Sequence, residues 1–75
     1  MEGRTWIDHY AEALGVDAPT EAEVEELLAL AGIAAHASER TAAPVSCWLA
    51  AQAGLSTANA LARAQSLEKE LLDQS

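Results

Sequence analysis

Two histidines, His9 and His36, and a single cysteine, Cys47, are the side chains of this sequence best able to hold a metal or attack an electrophile. Zinc sites draw their ligands from short C-x2-C or H-x3-5-H repeats, because four ligands must converge on one ion. The spacings here match neither pattern. Each of the three residues also falls on a different expected helix, and His9 sits beside Asp8 near a helix start, where solvent is the expected neighbour. Cys47 with His36 is the one conceivable thiol–imidazole pair. A cysteine one place before a tryptophan on an apolar helix is better read as a small core hydrophobe. Neither metal binding nor nucleophilic catalysis is expected.

Carboxylates are plentiful, but Glu21, Glu23, Glu25 and Glu26 crowd the first turns of an expected helix, where the helix dipole favours anions. Acid–base catalysis would need a concave site that perturbs their pKa values, and a helical domain this short seldom has one. No G-x-G-x-x-G, P-loop or glycine-rich phosphate cradle occurs. A carrier serine would sit at a helix start after an aspartate, in the D-S-L motif of acyl carrier proteins. "GLSTAN" offers Ser56 with no aspartate before it, and that serine is better explained as an N-cap.

The densest cluster of polar and special residues is "HASERTAAPVSCW", His36 to Trp48. Each polar residue there has a structural job. His36 and Arg40 lie in or just past the last turn of the second helix, where positive charge complements the dipole and Arg40 can donate to unpaired carbonyls. Glu39 can pair with Arg40, weakly if exposed. Pro44 suits the first turn of the next helix, and Ser46 gives that turn a polar position. The functional alternative is a partner or anion contact made by His36, Arg40, Pro44 and Trp48 together with free N–H groups of the third helix.

Four helices must position these residues. The first is expected over about 5–14, with Thr5 as N-cap, Asp8 completing a capping-box-like pair, and Trp6, Ile7, Tyr10 and Leu14 on one face. Gly15 is a natural stop. Pro19 marks a boundary, and T-x-x-E from Thr20 to Glu23 opens a second helix over about 21–38, central and buried on much of its surface. The third, about 44–53, carries Val45, Trp48, Leu49 and Gln52 at helical spacing and ends at Gly54. Ser56 or Thr57 caps the fourth, about 57–72, with Leu61, Ala64, Leu67 and Leu71 as its apolar positions. Loops of two to six residues make successive helices roughly antiparallel.

Composition narrows the classes further. Of 75 residues, 51% are apolar, and 18 of these are alanine, the best helix former. With no Phe, the core is expected to rest on Leu, Ile, Val and the two tryptophans. The fold class is all-α: one domain over residues 1–75, a compact four-helix bundle with short loops. Net charge is −8, with only four Lys and Arg, which disfavours nucleic acid and anionic membrane surfaces as partners. A single cysteine cannot close an internal disulfide, the N-terminus has no apolar signal core, and no apolar run can span a bilayer. A cytoplasmic protein is expected.

"TWIDHYAEALGV", "LLALAGIAAHASERTAAPVSCWLAAQAG" and the closing amphipathic helix resemble a small actinobacterial all-α domain of unknown function, found alone or attached to molybdenum-cofactor guanylyltransferase-like proteins. The similarity runs from Trp6 to about Leu72 and is most specific in the "W-I" start, the "ALG" helix end and the "AAH…R…AAP" junction. It implies no catalytic residue and no cofactor, but it does imply association with molybdenum-cofactor metabolism. The expected function is therefore a non-catalytic accessory or interaction module. Its partner would be a protein, in one form a molybdenum-cofactor biosynthesis enzyme, or a second copy of the chain. Its expected surface is the charge-poor half around helix 3 and the His36–Pro44 junction. The competing expectation is a carrier or small-ligand-binding domain with a pocket between helices 2, 3 and 4.

Overall fold

In the computed structural model, which describes residues 1–74, the chain forms four α-helices joined by short loops. They are α1 (Gly3–Leu14), α2 (Glu21–Ala37), α3 (Ala42–Gln52) and α4 (Thr57–Asp73). The all-α class and the number of helices agree with the sequence reading, and no expected boundary is more than two residues out.

Local chemistry accounts for most of the boundaries. α2 begins with a complete capping box: Thr20 Oγ1 accepts from the Glu23 N–H (3.1 Å), and Glu23 Oε1 accepts from the Thr20 N–H (2.8 Å). Each satisfies a donor that the first helical turn leaves unpaired. Ser56, not Thr57, caps α4, its side chain accepting from the Asn59 N–H at 3.1 Å. Two helices end on a glycine of positive φ, Gly15 (72°) and Gly54 (74°). At each, two backbone bonds close the end. Gly15 and Val16 donate to Glu12 and Ala11; Gly54 and Leu55 donate to Ala51 and Ala50. This is the Schellman arrangement, which needs a residue that reaches left-handed φ without strain.

Two expected starts move. α1 begins at Gly3 with Glu2 at the N-cap and no side-chain cap, so Thr5 lies inside the helix. Asp8 pairs instead with Arg4, one turn back, at 3.1 Å. α3 begins at Ala42, which places Pro44 at the third helical position rather than the first. Proline is tolerated through this turn because first-turn N–H groups have no acceptor within the helix.

α2 is the central element, and both α3 and α4 pack on it. α3 returns antiparallel to α2, bringing Cys47 near Leu27; α4 runs back alongside α2, and Thr57 Oγ1 donates to Glu26 Oε1 at 2.7 Å. α1 contributes little to this packing. It is held to the start of α2 by a hydrogen bond from the Arg4 guanidinium to the Pro19 carbonyl. The molecule measures 43 × 24 × 19 Å with a radius of gyration of 13.3 Å, against about 11 Å for a compact chain of this length.

The core is correspondingly small. Ala11, Leu30 and Ala60 are the buried apolar residues, and only Leu30 is large. The tryptophans do not join them: Trp6 is 58% and Trp48 61% exposed. Trp6 instead stacks on Tyr10 at the surface, ring centroids 5.6 Å apart. The reason lies in the helices that meet. α3 packs on α2, its half-buried residues are Ala42, Ala43, Ser46, Cys47 and Ala50, and small residues at such spacing let the backbones approach. Its bulky residues are then left pointing elsewhere.

Candidate functional site

The four residues that the sequence singles out all lie at the surface. His36 is in the last turn of α2, Arg40 in the connecting turn, Pro44 in the first turn of α3, and Trp48 one turn further on. Pro44 and Trp48, four apart, share the outward face of α3, with Val45 (56% exposed) beside them. Trp48 is thus part of an exposed apolar strip rather than a buried anchor.

The cap role expected of Arg40 belongs to Ser38. Its hydroxyl donates to the Ala34 carbonyl at 2.7 Å, and its N–H donates to the same oxygen at 3.2 Å. Among the described residues no hydrogen bond or ion pair engages the Arg40 side chain, and Glu39 does not pair with it. The amides of the α3 start are also committed. Ala42 donates to the Glu39 carbonyl and Ala43 to that of Arg40, and Pro44 has no N–H. The first two amides of α3 are therefore engaged within the turn.

Cys47 sits half-buried against α2, with Sγ 4.0 Å from the Leu27 carbonyl oxygen, long even for a weak thiol donor. Burial pushes its thiol pKa up from the ordinary value. A raised pKa means less thiolate at neutral pH and a less reactive sulfur. His36, exposed at the far end of α2, makes no hydrogen bond to it. Ser56 is occupied as the cap acceptor of α4. Among the described residues no three His, Cys, Asp or Glu side chains gather as metal ligands, and no helix is long and apolar enough to cross a membrane.

A concave apolar feature lies elsewhere. α3 and α4 flank α2 with little contact between them. The space they leave is an open groove of about 440 Å³. Its floor is Leu30, Ile33, Ala34 and Ala37 of α2. One wall is Ala42, Ser46 and Leu49 of α3 with Ala53 just past its end; the other is Ala60, Arg63, Ala64, Leu67, Glu68 and Leu71 of α4. Apart from Arg63, Glu68 and two serines the lining is apolar, and Leu49, Leu67 and Leu71 are each about half exposed (55, 53 and 50%). None of His36, Arg40, Pro44 and Trp48 lines it. The sequence does carry a sign of the α4 wall, in the apolar positions Ala64, Leu67 and Leu71. It carries none of the gap, which follows from α3 and α4 both choosing α2 as their neighbour.

Comparison with known proteins gives one positive result. The family DUF6457, a domain of unknown function, matches over residues 1–75, and the chain belongs to that family. No curated protein and no solved structure matches the chain.

Proposed function

We propose that this DUF6457 domain is a non-catalytic helical interaction module that works by covering its apolar surface with a protein partner. The observation that carries the reading is the imbalance between core and surface. Among the described residues three are buried, two of them alanine, while Trp6, Tyr10, Val45, Trp48, Leu49, Leu67 and Leu71 are all at least half exposed. Single exposed apolar residues are ordinary, but clusters of this extent on a small domain mark interaction surfaces. The partner contact is assigned to the outer face of α3, where Val45 and Trp48 are uncovered, together with the His36–Pro44 junction at its edge. Tryptophan and arginine in such a setting are the residue types that carry most interface energy.

The resemblance noted above points to the biological setting. An actinobacterial domain found alone or attached to molybdenum-cofactor guanylyltransferase-like proteins suits a cytoplasmic accessory of a molybdenum-cofactor biosynthesis enzyme. We propose that enzyme class as the partner. The test is affinity purification of the tagged chain from its native host, wild type beside Trp48→Glu. The wild type is expected to carry a stoichiometric second protein that the variant has lost. A wild-type chain recovered free of any other protein ends this reading.

The groove supports a second reading, a small-ligand-binding or carrier domain. Its volume falls in the range of ligand pockets, and its lining is apolar with a few polar groups. Native and denatured mass of the chain purified from its host separates the two readings. Added mass on the native chain favours a bound ligand, added mass that survives denaturation favours a carrier, and unmodified mass in both removes this alternative.

A further inference from the structure

We propose that the groove between α3 and α4 is filled by a second copy of this chain, whose α4 packs antiparallel against α4 to form a two-fold symmetric dimer. The inference rests on the reading above that the uncovered apolar surface exists to be covered, and it assigns a different part of that surface.

The first argument is area. The chain exposes 5779 Å². A compact monomer of 7.9 kDa exposes about 4,400 Å². The excess is about 1,400 Å² per copy. Exposed apolar residues on α1, α3 and α4 contribute to it. The share of this excess along the groove and α4 is area that a second copy could cover, toward the roughly 1,200–2,000 Å² buried by specific interfaces.

The second argument is charge. At a net charge of −8, two copies repel one another unless they meet through a neutral face. The groove is such a face. Its lining carries one cation, Arg63, and one anion, Glu68, while eight of the twelve acidic residues lie within residues 1–26.

The third argument is the pattern along α4. Ala60, Ala64, Leu67 and Leu71 line the groove and follow one another at steps of four, three and four, the a/d seam of a helix that packs on another helix. A two-fold axis demands that the seam complement itself. In an antiparallel pair centred between Gln65 and Ser66, Ala64 faces Leu67 of the other copy, and Leu71 of that copy comes to rest beyond it, over the end of α4 where Ala60 is already buried within its own chain. The two central layers then each set a small residue against a large one, the complementarity a close helix pair needs. The same register brings Arg63 close to Glu70 of the other copy, at the solvent edge of the seam. Arg63 and Glu70 are seven residues apart, on the same side of α4, so the symmetry makes this pair twice. Both side chains are exposed and neither has a partner within the chain among the described residues.

The test is sedimentation equilibrium of the wild-type chain, of Arg63→Glu and of Glu70→Arg, with circular dichroism confirming that the exposed substitutions leave the helices intact. The wild type is expected at dimer mass. Each reversal sets two like-charged pairs across the seam and weakens association about tenfold or more. Mixing the two variants restores opposite charges at both pairs, so a heterodimer forms where neither variant dimerises alone. A wild-type chain that stays monomeric at hundreds of micromolar overturns the proposal. So does a dimer indifferent to both reversals, which would lie on another face, such as that of Trp6 and Tyr10. Neither result touches the partner reading, whose test is the Trp48→Glu comparison. A wild-type dimer that retains no other protein would sink the partner reading and leave the dimer standing.

Discussion

Between α1 and α2, and again between α3 and α4, the chain leaves one helix through a glycine of positive φ and enters the next through a hydroxyl cap. Between α2 and α3 it does neither. Ser38 closes α2 without left-handed backbone, and Thr41 enters α3 in an ordinary helical conformation with no side-chain cap. The outer junctions are thus specified by their own few residues. The middle one is held by what its helices pack against, and by a turn whose amides donate to Glu39 and Arg40. Where local chemistry fixes a turn, a single substitution should register in stability. Where packing fixes it, exposed side chains are free to serve something else.

Substitutions can break this contrast or sharpen it, provided chain concentration is held fixed, since association raises apparent stability. The largest effect is expected at Gly15. No atom lies within 4 Å of an added Cβ, so Gly15→Ala isolates the cost of left-handed backbone. That cost is about 1–2 kcal/mol, read as a loss of several degrees in thermal unfolding. An unchanged midpoint would show that this junction is not locally specified. Thr20→Ala comes next. It removes the acceptor for the Glu23 N–H and should cost about 1 kcal/mol in chemical denaturation. Arg40→Ala at the middle junction should stay within about 0.5 kcal/mol of wild type, because the side chain has no partner to lose. Reduced recovery of the partner protein at unchanged stability would place Arg40 in the contact. A loss as large as that of Thr20→Ala would instead make the middle junction another locally capped turn.

The smallest effect concerns Cys47, the half-buried residue that α3 sets against α2. Burial raises its pKa, so the folded state holds the thiol proton more tightly than the unfolded chain does. Any stability this contributes is present below the unfolded thiol value and is lost as pH rises through the raised folded value. Denaturation of the wild type and Cys47→Ala at pH 7 and pH 10 should show the wild type losing more on the way up. Equal losses would mean that Cys47 is not buried enough to matter.

The same contrast explains what the sequence reveals. Capping chemistry is local, so T-x-x-E at Thr20 and the stop at Gly15 are readable from a few letters, and the helix boundaries follow. Two local readings still miss. Thr5 is a good cap that α1 bypasses by starting at Gly3, and Pro44 fits the first helical position but occupies the third. Burial is a property of pairs of helices, and here the alphabet is too uniform to reveal the pairs. With alanine on nearly every side of α2 and α3, periodicity identifies helices without saying which side meets a neighbour. That is why Trp48, at sound helical spacing with Val45 and Leu49, reads as core and lies outside. The groove is harder still, because it consists of a contact that α3 and α4 do not make.

α1 gives this architecture a consequence in time. Among the described residues it rests on the remainder through few contacts and a guanidinium hydrogen bond from Arg4. A helix of 12 residues is marginal by itself in water. It can therefore open and re-form while α2, α3 and α4 stay folded, as a unit of low local stability. Its amide protons should exchange with deuterated solvent well ahead of those around Leu30, and the gap between the two sets of rates would measure how much of the fold is shared between them.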